Sequence, residues 1–280
     1  MLKRLMVLIS FLILISYIVF CGLVYFYPQL FFYNPSSKHP RIEVAQANSY
    51  PAQRIEYKSQ DGTELFAWYT KPQANMPIVV FMHGNSHNIE SFYHKLVPFV
   101  EAGYGTLLPE YRGFGGIKGK ISQTNLGQDA IAGIKWLYSQ GYQNNQIIIY
   151  GMSLGSYTSI YTTYTLGKEK SFKSLILEVP FDSMYADVKQ IVKYPLPLKL
   201  IMRDKFDNTS MIKELHLPIL IMGALDDTLV PVERAKSLYS HANNPKQIKV
   251  YLGAEHSELY KYRNYNDILE WLKANEEAGL

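Results

Sequence analysis

The stretch Ile147 to Tyr157 reads IIIYGMSLGSY and decides the predicted fold. An apolar run that ends at Tyr150 is typical of a short strand buried on both faces, and the residues from Leu154 onward favour a helix. The GMSLG motif therefore falls on a turn from strand to helix. Such a turn exposes a serine hydroxyl in front of a helix N-terminus. We predict that Ser153 is a nucleophile, and the alternative is an ordinary Gly-Ser turn.

The same alternation of short apolar runs and helical stretches continues on both sides of this motif. The predicted strands are 76–83, 105–108, 146–150, 174–179, 218–222 and 248–252, and the predicted helices are 89–102, 125–140, 154–166, 232–241 and 264–275. Before them, RIEYKS and ELFAWYT flank Asp61-Gly62, a pair that suits a hairpin turn. We therefore expect an α/β fold whose mostly parallel sheet is covered by helices on both faces.

A serine hydroxyl needs a base, and the base needs an acid that orients it. In a fold of this kind the acid and then the histidine follow the serine, each just after a late strand. LPILIMGALDDTLVP places Asp226 and Asp227 after one such strand, and IKVYLGAEHSELY places His256 after the last. Position alone leaves the two aspartates about even, with Asp182 a distant third. His83 precedes the serine and is interpreted as a loop-shaping residue.

A tetrahedral intermediate also needs two backbone N–H donors. One is expected from Leu154, the residue after the nucleophile, and the other from the loop after an earlier strand. In FMHGNSHN that loop begins after His83, so Asn85 is the predicted second donor. The alternative is an ordinary turn into the helix predicted at Ile89.

The N-terminal run from Leu5 to Phe26 has no charged residue in 22 positions. As a helix it would span about 33 Å, enough to cross a bilayer. The length of the run, and the lack of a small-x-small cleavage site, favour an uncleaved anchor over a signal peptide. The cations Lys3 and Arg4 favour an N-terminus inside and a catalytic domain on the non-cytoplasmic side, periplasmic in a bacterium. We divide the chain into an anchor (1–28), a linker (29–51) and a catalytic domain (52–280).

One segment interrupts the alternation of strands and helices. Residues 181–207 include VKYPLPLKLIMRDKF, where a bare sheet needs only a short connection. This insertion is interpreted either as a small cap beside the strand ends or as a helical excursion that packs on the core.

Composition excludes several classes of function. A net charge of +4 with scattered lysines and arginines argues against nucleic-acid binding. The single cysteine, Cys21, cannot form an intrachain disulfide. The seven histidines lack the paired spacing of a helical zinc motif, so no metal or cofactor is predicted.

Five motifs, HGNSHN, PEYRGFGG, GMSLGS, GALDDTLVP and GAEHSELY, occur in the order and approximate spacing of the α/β-hydrolase superfamily. Over residues 54–272 the chain most resembles the single-span, membrane-anchored α/β-hydrolase-domain serine hydrolases, relatives of the protein depalmitoylases. Two departures lie in one loop: Glu110 stands where members usually have aspartate, and FGGIKG lacks their serine.

The resemblance implies Ser153 as nucleophile, His256 as base, and Asn85 and Leu154 as oxyanion donors. The family's D-x-x-V-P pattern favours Asp227 as the acid. We therefore expect a serine hydrolase that cleaves carboxylic ester or thioester bonds without a cofactor. An apolar insertion and a membrane tether favour lipid-like acyl substrates. The alternatives are a peptidase on the same fold and a catalytically silent binding or scaffold module.

Overall fold

The computed structural model describes residues 2–192 and 195–279. In chain order the helices and strands are α1 (Leu2–Phe26), α2 (Gln29–Phe32), β1 (Asn34–Pro35), α3 (Ile42–Ala47), β2 (Gln53–Lys58), β3 (Glu64–Thr70), β4 (Ile78–Met82), β5 (Ser86–His87), α4 (Val97–Glu101), β6 (Gly105–Pro109), α5 (Gln123–Ser139), β7 (Ile147–Met152), α6 (Leu154–Leu166), β8 (Ser174–Glu178), α7 (Met184–Ile191), α8 (Leu198–Ile201), α9 (Thr209–Ile212), β9 (Ile219–Ala224), α10 (Val232–His241), β10 (Lys246–Tyr251) and α11 (Asn264–Glu277).

Eight strands form one sheet in the order β10-β9-β8-β7-β4-β6-β3-β2. All neighbours from β10 to β6 are parallel, whereas β3 is antiparallel to both β6 and β2. Every residue of β4, β6, β7, β8 and β9 is buried, as expected for strands covered on both faces. The predicted α/β-hydrolase architecture is confirmed, and so is the hairpin at Asp61-Gly62.

The side chains of β7 show how the two faces are covered. Ile147 and Ile149 belong to one core cluster, which includes apolar residues of α5, α6 and α10, and Ile148 and Tyr150 belong to the other, which includes residues of α4 and α11. This alternation follows from the period of two in a strand.

The prediction of one continuous helix over residues 89–102 is wrong. The structure has short 3-10 turns at Ile89–Ser91 and Tyr93–Lys95, and the α-helix begins only at Val97. Pro98 explains the difference, because its ring would collide with the carbonyl group four residues earlier in a continuous helix. It is tolerated in the first turn of α4.

The N-terminal helix α1 is long and apolar enough to cross a membrane, with a mean hydropathy of 2.8. Near its end, Val24 packs with Leu198, Ile201 and Met202 of the insertion. Residues 29–51, predicted as a linker, contain α2, β1 and α3.

The insertion of residues 181–207 contains the short helices α7 and α8, while Lys193 and Tyr194 lie outside the described residues. A β-bridge between Ser183 and Asp207 joins the points where the insertion leaves and rejoins the domain. The apolar side of the insertion contacts α1 through Leu198, Ile201 and Met202.

Candidate active site

Ser153 occupies the turn between β7 and α6 with φ 53° and ψ −117°, a left-handed region that is unfavourable for serine. Its N–H donates to the carbonyl oxygen of Glu178 at 2.9 Å. The flanking glycines allow close backbone contact: a Cβ at Gly155 would lie 1.9 Å from the oxygen of Met82, and one at Gly151 would lie 2.3 Å from the oxygen of Gly155. These contacts hold the serine at the carboxyl edge of the sheet.

Three side chains from three different loops lie in line at this edge. His256 Nε2 is 2.9 Å from Ser153 Oγ, and His256 Nδ1 is 2.6 Å from Asp227 Oδ2. The other carboxylate oxygen of Asp227 accepts hydrogen bonds from the amides of Leu229 and Val230 at 2.9 and 2.8 Å. Because a carboxylate only accepts, Nδ1 carries the proton and Nε2 is left to accept from the serine hydroxyl.

The other candidates from the sequence lie elsewhere. Asp226 is exposed, and its backbone amide donates to Ala254 at 3.0 Å, which joins the aspartate loop to the histidine loop. Asp182 lies 3.5 Å from Arg234 of α10, at the base of the insertion. Of the two neighbouring aspartates, the structure brings only Asp227 to His256.

The predicted oxyanion donors lie on two turns beside the serine: Leu154 follows Ser153 directly, and a Cβ at Gly84, before Asn85, would lie 3.7 Å from that of Ser153. Within residues 2–192 and 195–279, the amides of Asn85 and Leu154 donate to no acceptor. His83 Nδ1 lies 2.8 Å from the carbonyl oxygen of Gly84, which belongs to the same peptide unit as the Asn85 amide. The oxygen and the N–H of a trans peptide point in opposite directions. The bond from His83 therefore turns the Asn85 N–H away from the core.

Glu110 supports this loop in a way that the sequence did not reveal. Its Oε1 lies 2.9 Å from Nε2 of His83, and its Oε2 accepts from the Ile89 amide at 3.0 Å. Both His83 and Glu110 are fully buried. The glutamate that departs from the usual family residue is therefore a structural partner of the loop that carries Asn85. The available signal was that both residues follow apolar strands, β4 and β6.

A cavity of about 280 Å³ opens beside the serine. Its lining residues are Gly84, Asn85, Ser86, His87, Ser91, Phe92, His94, Lys95, Met152, Ser153, His256 and Ser257. Among the described residues, the insertion contributes nothing to this lining. Burial, together with the neighbouring charge of Lys95, lowers the pKa of His94 and keeps its imidazole neutral at pH 7.

Lys95 does not bring a free charge to the cavity. Its ammonium donates to Glu178 Oε1 at 2.6 Å, and both side chains are buried. Glu178 Oε2 accepts from the hydroxyl of Tyr150, and the amide of Asn264 lies 3.3 Å from it. This pair was also missed by the sequence reasoning, because it joins a 3-10 turn to a strand 83 residues later.

A hydroxyl, an imidazole and a carboxylate in line, with two amides that have no acceptor in the described part of the chain, form the arrangement that serine hydrolases use for acyl transfer. On this parallel sheet the arrangement defines an α/β hydrolase.

Comparison with known proteins agrees with this class. The model of the prolyl oligopeptidase family matches residues 90–277, more than half of the chain, and that of the acetyl xylan esterases matches residues 34–135. The chain therefore belongs to the prolyl oligopeptidase family, within the α/β-hydrolase superfamily.

Individual relatives extend the match. An uncharacterised protein of Mycobacterium tuberculosis is 30% identical over 213 residues, 74% of each chain. Lysophosphatidylserine lipase ABHD12 of Xenopus tropicalis is 25% identical over 266 residues, 84% of this chain and 67% of that protein. The Pyrococcus furiosus esterase Pf2001 has the same fold, with a TM-score of 0.67 at 19% identity over 87% of this chain and 97% of the esterase. The protein is an esterase- and lipase-like serine hydrolase.

Proposed function

We propose that this protein hydrolyses carboxylic ester or thioester bonds of acyl-chain substrates, with Ser153 as the nucleophile. The observation that carries the proposal is the line from Ser153 Oγ to His256 Nε2 at 2.9 Å and from His256 Nδ1 to Asp227 Oδ2 at 2.6 Å. A serine held at a positive φ in front of a helix has no structural need for such a partner.

The proposed reaction has two halves. His256 Nε2 takes the hydroxyl proton while Ser153 Oγ bonds to the carbonyl carbon, and the amides of Asn85 and Leu154 donate to the oxyanion. The leaving alcohol or thiol receives that proton from His256 as its bond to the acyl carbon breaks. Water then attacks the acyl carbon and gives a proton to His256. The bond from the acyl carbon to Ser153 Oγ breaks, Oγ takes that proton from His256, and the acid is released. Asp227 holds the imidazole in the required tautomer throughout.

The acyl-chain part of the proposal is supported by the apolar contact between α1 and the insertion, which lies outside the lining of the cavity. The apolar helix α1 ends on an apolar cluster that includes Leu198, Ile201 and Met202 of the insertion. A longer relative, whose match covers 84% of this chain and 67% of its own length, is named a lysophosphatidylserine lipase. We further propose that α1 is a single membrane span and that the catalytic domain lies on the non-cytoplasmic side, where it meets lipid-like substrates.

Fluorophosphonate labelling tests the nucleophile. Wild type should be labelled, and Ser153→Ala should not. Labelling of Ser153→Ala at the wild-type rate would disprove the assignment. A series of p-nitrophenyl esters tests the substrate class, since longer acyl chains should give a higher kcat/KM than acetyl. A flat or reversed profile would refute the acyl-chain part alone.

Peptide hydrolysis is the second candidate, and the match to the prolyl oligopeptidase family favours it. A matched pair of substrates that differ only in an ester or an amide at the scissile bond separates the two activities. We expect turnover of the ester only. Comparable turnover of the amide would establish the peptidase instead.

A further inference from the structure

The segment that follows α1 is hydrogen-bonded to the loop that carries Asn85. We call residues 32–41 the strap. β1, in the strap, pairs in parallel with β5, in the loop. The amide of Asn34 donates to the carbonyl oxygen of Asn85 at 2.9 Å, and the amide of Ser36 donates to that of His87 at 2.8 Å. The strap therefore extends the loop into a small two-stranded ladder.

Side chains of the loop complete this contact. Asn85 Nδ2 donates to the carbonyl oxygen of Phe32 at 3.0 Å, and Asn88 Nδ2 donates to that of Lys38 at 2.9 Å. Asn85 is thus held by its own carbonyl group and by its side chain, both of which bind main-chain groups of the strap. Its backbone N–H, which donates to no acceptor within the described residues, is the group that we propose as an oxyanion donor.

The strap is itself fixed to the domain on its other side. The carbonyl oxygen of Ser36 accepts from the Gly115 amide at 2.8 Å, and Tyr33 is buried in the core. The imidazole of His39 lies against Gly116, where an added Cβ would come within 2.5 Å of the ring. The strap is therefore wedged between two loops that follow neighbouring strands, β4 and β6.

We infer that the strap positions the oxyanion loop, and that Asn34 is its principal positioning residue. The loop has a conformation that needs support, because His87 has φ 62° and left-handed backbone at such a residue costs about 1–3 kcal/mol. Asn85 and His87 are both exposed, so solvent competes for their polar groups. The strap supplies fixed partners, and it connects the loop to α1 within a few residues. This inference rests on the proposed function.

The test uses the full-length protein in detergent micelles with a p-nitrophenyl ester. Asn34→Pro removes the N–H that binds Asn85, and the extended backbone of Tyr33 (φ −133°, ψ 145°) is the conformation that a residue before proline prefers. The matched control is Gln46→Ala, which removes a 2.9 Å bond to the carbonyl oxygen of Ala52, outside the strap.

For Asn34→Pro we expect kcat to fall about 10- to 100-fold. Loss of a whole oxyanion donor costs about 100- to 1000-fold, and misorientation should cost less. KM should stay within about twofold, and the shape of the pH–rate profile should not change, because the serine, histidine and aspartate are untouched. The number of active sites titrated by a fluorophosphonate and the melting temperature should match those of Gln46→Ala.

Two results would overturn the inference. One is a kcat of Asn34→Pro equal to that of Gln46→Ala. The other is a fall in kcat that only follows a loss of titratable sites, which would show a purely structural role. If Asn34→Pro does not fold, Ser36→Pro replaces it under the same criteria. A wild-type protein that binds the fluorophosphonate but turns over no ester would instead refute the proposed function.

Discussion

The buried ion pair between Lys95 and Glu178 offers a quantitative test of how the site is held. Lys95→Met removes the ammonium with little change in length, and Glu178→Gln removes the charge but keeps the shape. Nζ of Lys95 lies 2.6 Å from Oε1 of Glu178, and the two side chains are 4% and 0% exposed. Each single change therefore leaves a buried charge without its counter-charge.

Breaking a buried pair from one side typically costs 3–5 kcal/mol. Lys95→Met should lie near the lower end, about 3 kcal/mol, because Tyr150 and Asn264 still donate to the Glu178 carboxylate. Glu178→Gln should cost about 4 kcal/mol, since within the described residues the ammonium has no other acceptor. The double variant Lys95→Met/Glu178→Gln buries no charge and should be within about 1 kcal/mol of wild type.

The assay is a double-mutant cycle from guanidinium unfolding in detergent, supported by melting temperatures. A loss of 3 kcal/mol should lower the melting temperature by about 6–12 °C in a domain of this size. Lys261→Met, which breaks an exposed pair with Glu258, is the control and should change nothing measurable. If the two single losses simply add in the double variant, the pair is not coupled and the reasoning fails.

Three further outcomes are expected. Asp227→Asn should lower kcat by about 10⁴-fold in an ester assay because it disturbs the histidine tautomer, whereas Asp226→Asn should stay near wild type. Gly155→Ala should cost about 3 kcal/mol or more in unfolding free energy, because its methyl group would collide with backbone. The hydrogen bonds from Arg112 hold the pKa of Asp61 below its usual value. That stabilisation is fully present above pH about 4 and declines as the pH falls below it, so Asp61→Asn should lower the melting temperature more at pH 7 than at pH 2.

Each of these outcomes has a control variant or a result that would contradict it. Equal losses of kcat in the two aspartate variants would show that the loop, and not one carboxylate, matters. Gly133→Ala places a methyl group on the buried helix α5, where the nearest atom is 3.3 Å away, and should be far milder than Gly155→Ala. A pH-independent difference for Asp61→Asn would exclude the ionised carboxylate as the cause.

The fold was predictable because its strands are buried on both faces. The runs around Ile147 and Ile219 are apolar without interruption, and buried parallel strands require that pattern. The helix predicted over 89–102 failed because apolar periodicity outweighed the single proline, Pro98. Local steric exclusion is a stronger constraint there than the amphipathic pattern.

The site was predictable only in part. The sequence predicted Ser153 and His256 from the loops that carry them, and the structure brings the two side chains within 2.9 Å, but position could not separate Asp226 from Asp227. The direction of a side chain on a loop depends on the hydrogen bonds that it makes nearby. Here the amides of Leu229 and Val230 donate to the carboxylate of Asp227 and fix its direction.

The buried supports of the loops were not predictable from single-chain patterns. The contact between His83 and Glu110 depends on β4 and β6 being neighbours in the sheet, which is a property of the strand order. The bond from Asn34 to Asn85 depends on the path of the chain after α1. Neither contact leaves a recognisable pattern in the sequence around the residues that make it.

The contact between Gly155 and Met82 limits how this site can diversify. The first turn of α6 and the last residue of β4 touch through backbone alone, so the distance between the serine turn and the loop after β4 does not depend on any side chain. The backbone itself therefore fixes the distance between the turn that carries Ser153 and the loop that follows β4. Changes in substrate range are expected from the lining of the cavity. Phe92, His94 and Met152 lie there, and their side chains can be replaced by larger or smaller ones. A library that randomises these three positions would sample new substrates without altering the chemistry.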